Sequence, residues 1–91
     1  MRSFINISIS RRYLADELNN RLAHGVAVFT YRTKDGYRRR AIGTRNLNLA
    51  RRMGYDVPTP SGRVHRPNAY YDLEKRGWRS FLPQNILSIE G

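Results

Sequence analysis

Two stretches of this chain share one plan, and together they narrow the folds open to it. In Tyr70-Tyr71-Asp72-Leu73-Glu74-Lys75-Arg76-Gly77-Trp78-Arg79-Ser80-Phe81, residues that suit a pleated, half-buried surface run into a charged turn ending in Gly77 and resume at the only Trp. Gly77 is placed to take the positive φ that a short hairpin loop needs. Upstream, Val26-Ala27-Val28-Phe29-Thr30-Tyr31-Arg32-Thr33, then Lys34-Asp35-Gly36, then Tyr37-Arg38-Arg39-Arg40-Ala41-Ile42 repeats the design, and Asp-Gly between alternating segments is a strong short-range hairpin signal. Two such hairpins in 91 residues predict one domain built as a small β-barrel, residues 26–91, behind an N-terminal segment, residues 1–25.

The N-terminal segment changes period midway. Ile5, Ile7 and Ile9 alternate with polar residues, which predicts a short strand over residues 3–9. Ser10 is then a candidate helix cap. Leu14, Leu18 and Leu22 recur every four residues and predict a helix over 11–23 with one apolar stripe, stopped at Gly25.

Between the hairpins, Thr44 or Asn46 can cap a shorter helix over 46–53 that ends at Gly54, with Arg51 and Arg52 in its last turn. Residues 55–67 hold three prolines and Gly62 and read as a loop. The second hairpin is expected at 68–74 and 78–82, Pro83 ends it, and Ile86, Leu87 and Ile89 supply a last strand to close the barrel. The fold class is therefore α+β, mainly β: an SH3-like barrel of about five strands with an N-terminal helix and a short second helix.

Charge is the strongest compositional signal. Lys and Arg total 17 against 7 acids, a net charge of +10, and only Lys34 and Lys75 are lysines. Arginine grips phosphates and carboxylates with a planar fork and stacks on rings, so a field of this sign and make-up points to a polyanionic partner. With no cysteine in the chain, disulfides, thiolate metal sites and a Cys nucleophile are excluded. No apolar run reaches the roughly 20 residues of a membrane span, and no secretory signal opens the chain. A cytoplasmic protein with no membrane association is the expectation.

The candidate site is a basic surface with rings between the charges. Arg38, Arg39 and Arg40 lie on the first hairpin, Arg51 and Arg52 on the short helix, Arg63 and Arg66 in the loop, and Arg76 and Arg79 on the second hairpin. Arginines that track phosphates, with Tyr37, Tyr55 or Tyr70 stacking on bases, are how small barrels hold single strands of RNA or DNA with little sequence preference. Phe29, Phe81 and Trp78 read as framework. Three arginines in a row cannot all face solvent from a two-faced strand, so either that strand lies at an edge or one arginine stem lies across apolar surface with its head in water.

Catalysis finds little support. His24 ends a helix and reads as a local cap, and His65 sits in the basic loop. The two are too far apart to form a metal site, and Asp72 reads as a cross-strand partner of Arg79. No enzyme activity, metal or cofactor is expected. The alternative function is a protein–protein adaptor or a phage-encoded inhibitor whose basic face docks an acidic partner.

The run Val28-Phe29-Thr30-Tyr31…Asp35-Gly36…Arg39-Arg40-Ala41-Ile42-Gly43-Thr44, followed by Tyr70-Tyr71-Asp72-Leu73-Glu74…Gly77-Trp78-Arg79-Ser80-Phe81…Ile86, resembles small bacterial and phage proteins with an SH3-like β-barrel. It is also distantly similar to the WYL domain, whose barrel closes with an aromatic-Asp strand, a Gly turn and Arg-x-Phe before a final Ile. The resemblance implies an SH3-like barrel behind a helix and a nucleic-acid or nucleotide ligand held by basic residues. The Trp-Tyr-Leu triplet is missing, Arg66-Pro67-Asn68-Ala69 standing in its region. Leu82 and Asn85 stand where that family has further basic residues, so only Arg79 carries over.

Overall fold

A computed structural model describes residues 7–58 and 68–91 of the chain. In order come helix α1 (Ile7–His24), strands β1 (Val26–Arg32) and β2 (Arg38–Thr44), helix α2 (Leu47–Arg52), strands β3 (Ala69–Asp72) and β4 (Gly77–Ser80), a 3₁₀ turn (Pro83–Asn85) and strand β5 (Ile86–Ile89). The five strands form one antiparallel sheet in the order β4-β3-β2-β1-β5, and α1 packs against β1, β2, β5 and the 3₁₀ turn that joins the two edge strands. This is the expected small barrel with its two helices.

The part of the expected N-terminal strand that falls on described residues, 7–9, is helical. Ile7 and Ile9 belong to the first turn of α1 and Ser10 lies inside it rather than capping it, while residues 3–6 fall outside the described residues. A helical turn added to an existing helix satisfies its own backbone groups, whereas a strand needs a neighbour to do so. Three alternating isoleucines are too short a signal to outweigh that difference.

The leucine stripe does what its spacing predicts. Leu18 and Leu22 are fully buried, with Ala15 beside them and Leu14 half-buried. They meet the inner face of the sheet: Ala27, Phe29 and Tyr31 of β1, Ala41 of β2, Tyr70 of β3, then Phe81 and Ile86. Burying each such leucine stabilises the fold by about 1.5–3 kcal/mol. Phe29 centres a ring cluster, edge-on to Tyr70 at 5.1 Å and to Phe81 at 5.8 Å, and the Tyr31 and Tyr70 hydroxyls share a buried hydrogen bond of 2.8 Å. His24 caps locally as expected, its Nδ1 donating to the Asn20 carbonyl at 2.8 Å.

A second, smaller core lies on the other face. Ala50, Val57, Tyr71 and Leu73 are buried together, with Ile42, Leu47, Tyr55 and Trp78 packed around them. Of the two candidate caps, Asn46 caps α2, its Oδ1 accepting from the Leu49 N–H at 3.1 Å. Thr44 instead ties β2 to the end of α1, donating to the Gly25 carbonyl at 2.7 Å. Arg45 does similar work, its Nε donating to the Ala69 carbonyl (2.8 Å) and its Nη2 to Asn19 Oδ1 (2.7 Å). Burial pulls its pKa below the ordinary guanidinium value.

The two hairpin turns differ. Gly36 takes the left-handed conformation (φ 89°), as its Asp-Gly setting predicts. In the second turn that role falls to Arg76 (φ 57°), and Gly77 opens β4 instead. The cause is Asp72, whose Oδ1 accepts from the Glu74 and Lys75 N–H groups at 2.9 Å each while its carbonyl accepts from Arg76 N–H at 2.7 Å. That wrapped turn reaches its left-handed corner one residue before Gly77.

Candidate nucleic-acid interface

β1 and β2 pair residue for residue down to the turn, with Thr30 opposite Arg40, Tyr31 opposite Arg39 and Arg32 opposite Arg38. Strand alternation then splits the three consecutive arginines. Arg38 and Arg40 share the outward face with Ile42, and Arg39 points to the inner side beside Tyr31. Arg39 is half-buried, and its Nη1 is buried without a hydrogen-bond partner among the described residues.

β3 pairs with β2 only at Gly43 and Thr44. Among the described residues, the half of β2 that carries the arginines therefore has no strand on that side, although β2 is central in the sheet. Neither option raised by the arginine triplet holds as stated: β2 is a central strand that is unpaired on one side only along its arginine half, and Arg39 turns inward with Nη1 buried rather than in water.

Next to that edge sits the β3–β4 turn, where Leu73 N–H donates to the Ile42 carbonyl at 2.8 Å. Arg76 belongs to this turn and lays its guanidinium over the Tyr55 ring, 4.9 Å from the centroid. Tyr55 is half-buried and packs edge-on to Tyr71 at 6.4 Å. One outward face thus runs from the hairpin tip through Arg38 and Arg40 to Ile42 and on to Tyr55 and Arg76, with Arg38 and Ile42 about 14 Å apart at the strand repeat.

Each arginine has a different freedom. Arg38 is exposed and next to Tyr37, which is 72% exposed. Arg40 is gripped at two points by Glu90, Nε to Oε2 at 2.6 Å and Nη2 to Oε1 at 3.0 Å. Those bonds, and then the attraction of the charges, lift the Arg40 pKa, and the same bonds hold the Glu90 carboxyl below its ordinary value. Arg51 donates to the Val57 carbonyl at 3.1 Å and so stays near α2, and Arg52 is exposed. Arg79 lies 3.6 Å from the buried Asp72 carboxylate, the expected cross-strand pair, which commits it to the framework. Arg63 and Arg66, like His65, lie outside the described residues.

One proposed stacking residue is corrected. Tyr70 is fully buried, its hydroxyl bonded to Tyr31, so its ring has no face open to a base. It fills the space above Gly43, where a Cβ would come within 2.5 Å of Tyr70 Cδ2. Tyr71 points outward but is buried under Tyr55 and Trp78. All four β3 residues are buried because the strand is covered on both faces. Tyr37 and Tyr55 remain as rings near solvent.

Arg32 and Lys34, which residue type alone does not single out, are exposed cations beside Arg38 at the hairpin tip. Arg32 is exposed at the hairpin tip opposite Arg38, its Nη1 donating to the Gly36 carbonyl at 2.8 Å, and Lys34 is exposed in the turn. Counting outward from Asp35-Gly36 would have found the Arg32–Arg38 pair.

Among the described residues, no group of three or more His, Asp or Glu side chains is placed to hold a metal ion, and no helix is long and apolar enough to cross a membrane. No curated protein and no solved structure matches the chain. The model of the WYL_2 family, described as an Sm-like SH3 beta-barrel fold, matches residues 15–87, from the middle of α1 into β5. With strands β1 to β4, the second half of α1 and most of the chain's length inside that match, the chain belongs to the WYL_2 family.

Proposed function

We propose that this chain is a binding module for RNA or single-stranded DNA, acting in the cytoplasm with low sequence preference and without catalysis. The observation that carries the reading is the Arg32–Arg38 pair. Like charges directly opposite on neighbouring strands destabilise a hairpin, and among the described residues no acidic side chain is bonded to either guanidinium. A chain that keeps this arrangement beside Lys34, Arg40 and an exposed Tyr37 has a surface whose repulsion is relieved when phosphates lie across it. Tyr37 supplies a ring for a base at the same place, and Arg76 over Tyr55 extends the face.

The test is titration of labelled single-stranded oligonucleotides over a series of salt concentrations. Affinity should fall linearly on logarithmic axes, each arginine–phosphate contact adding about −0.7 to the slope. Absence of binding at low salt removes the reading.

A second reading has one observation in its favour. Glu90 shows that a carboxylate fits the Arg40 fork, so an acidic protein surface could dock on the same face. Recovery of one stoichiometric acidic protein after nuclease treatment would select it.

A further inference from the structure

Glu90 draws three elements together. Its backbone N–H donates to the Val28 carbonyl of β1 at 2.8 Å, its carbonyl accepts from Arg21 Nη1 of α1 at 3.1 Å, and its carboxylate holds Arg40 of β2. The side chains of Arg40 and Glu90 are 55% and 48% exposed. An exposed pair of this kind is a weak fastening, and the backbone bonds already locate residue 90. What sets the pair apart is where it sits and how it is shaped. Arg40 is next to Arg38 on the outward face of β2, and two coplanar oxygens in a guanidinium fork copy the two free oxygens of a phosphodiester.

We propose that Glu90 is a resident phosphate mimic: its carboxylate occupies the Arg40 seat in the free protein, and a nucleic-acid backbone binds by displacing it. This inference rests on the nucleic-acid reading above. It adds a selection that the basic surface alone lacks. A lone small anion gains little by exchanging with a carboxylate already well seated. A strand that reaches Arg32 and Arg38 with neighbouring phosphates gains from those contacts and takes Arg40 as well. Glu90 therefore discriminates extended strands from mononucleotides and free phosphate.

The experiment compares oligonucleotide affinity for the unaltered protein, Glu90→Gln, Asp16→Asn, Arg40→Gln and the double variant Arg40→Gln/Glu90→Gln. Asp16 is exposed on α1 and its replacement makes the same change in net charge. Glu90→Gln should bind about two- to five-fold more tightly, the range an exposed ion pair represents. The increase should exceed that of Asp16→Asn, vanish when Arg40 is also replaced, and steepen the salt slope by about 0.7. Glu90→Gln should also raise affinity for a mononucleotide relative to that for a strand. In the unaltered protein, the NMR signal of the Glu90 carboxyl carbon should move toward that of a free carboxylate on saturation with oligonucleotide.

An equal gain from Asp16→Asn, a gain that survives the loss of Arg40, or an unmoved Glu90 signal overturns the proposal while leaving nucleic-acid binding intact. No binding by any of these proteins at low salt removes the underlying reading itself.

Discussion

The Tyr70 ring occupies the space that a side chain at Gly43 would need. A Cβ there would lie 2.5 Å from Tyr70 Cδ2 and 2.9 Å from the Tyr71 carbonyl oxygen. One of those neighbours is backbone, so the clash cannot be relieved by a rotamer change. Gly43→Ala should destabilise the protein by about 1–3 kcal/mol, the usual cost of overpacking, read as a lower midpoint in urea unfolding.

Tyr70 also makes an electrostatic prediction. Burial first, and then its bond with Tyr31, push its phenol well above the ordinary value of 10.0. A group whose folded pKa is raised contributes stability that is complete below its unfolded pKa and is lost as pH rises above it. Stability should hold up to about pH 10 and then decline, with phenolate absorbance from Tyr70 appearing only as the barrel opens. Tyr70→Phe leaves the Tyr31 hydroxyl buried without its partner and should cost about 1–3 kcal/mol, whereas replacing both tyrosines by Phe should cost less. Nucleic-acid affinity should change in neither variant.

Arg38 and Arg45 separate binding from folding. Arg38→Gln removes a like-charge pair and should raise stability by a few tenths of a kcal/mol, on the order of a cross-strand term, while weakening oligonucleotide binding and lowering the salt slope by about 0.7. Arg45→Gln breaks two framework bonds. It should lower stability by about 1–3 kcal/mol and leave the salt slope as it was. Equal effects of the two substitutions on the slope would contradict the assignment.

Arg76 holds a backbone conformation that glycine adopts at no cost, against about 1–2 kcal/mol for an L side chain. Its stack on Tyr55 returns about 0.5–1 kcal/mol at an exposed site. Arg76→Gly should therefore leave the thermal midpoint unchanged or slightly raised. Oligonucleotide affinity should fall, because an outward cation and its ring partner are uncoupled. A large loss of stability would show instead that Arg76 serves the fold.

Local periodicity and turn chemistry made most of the fold legible in the sequence. The leucine stripe, the alternation of Ala27, Phe29 and Tyr31, the Asp-Gly turn and Asn46 each carry their signal within a few residues. What was not legible depends on partners distant in sequence. Tyr70 reads as a surface ring until Gly43, on another strand, is seen to lie beneath it. Gly77 reads as the left-handed residue until Asp72 is seen to wrap the turn one position early. Ile7 and Ile9 alternate like a strand but have the turns of α1 to join. For the site, residue type located the arginines but not their commitments. Arg79 is bound to Asp72 and Arg40 to Glu90, while Arg32, never singled out, stands across from Arg38.

The two halves of β2 answer to different demands. From Gly43 onward the strand is flanked on both sides, and a change there disturbs everything stacked against it. From Arg38 to Arg40 it borders, among the described residues, a strand on one side only, and its first contribution to the inner core is Ala41. The outward residues of that half, Arg38 and Arg40, can be exchanged without rebuilding the interior, whereas Arg39 reaches into it. The charge on the outside of the barrel can therefore be rewritten at two positions of one strand while the remainder of the molecule stays as it is.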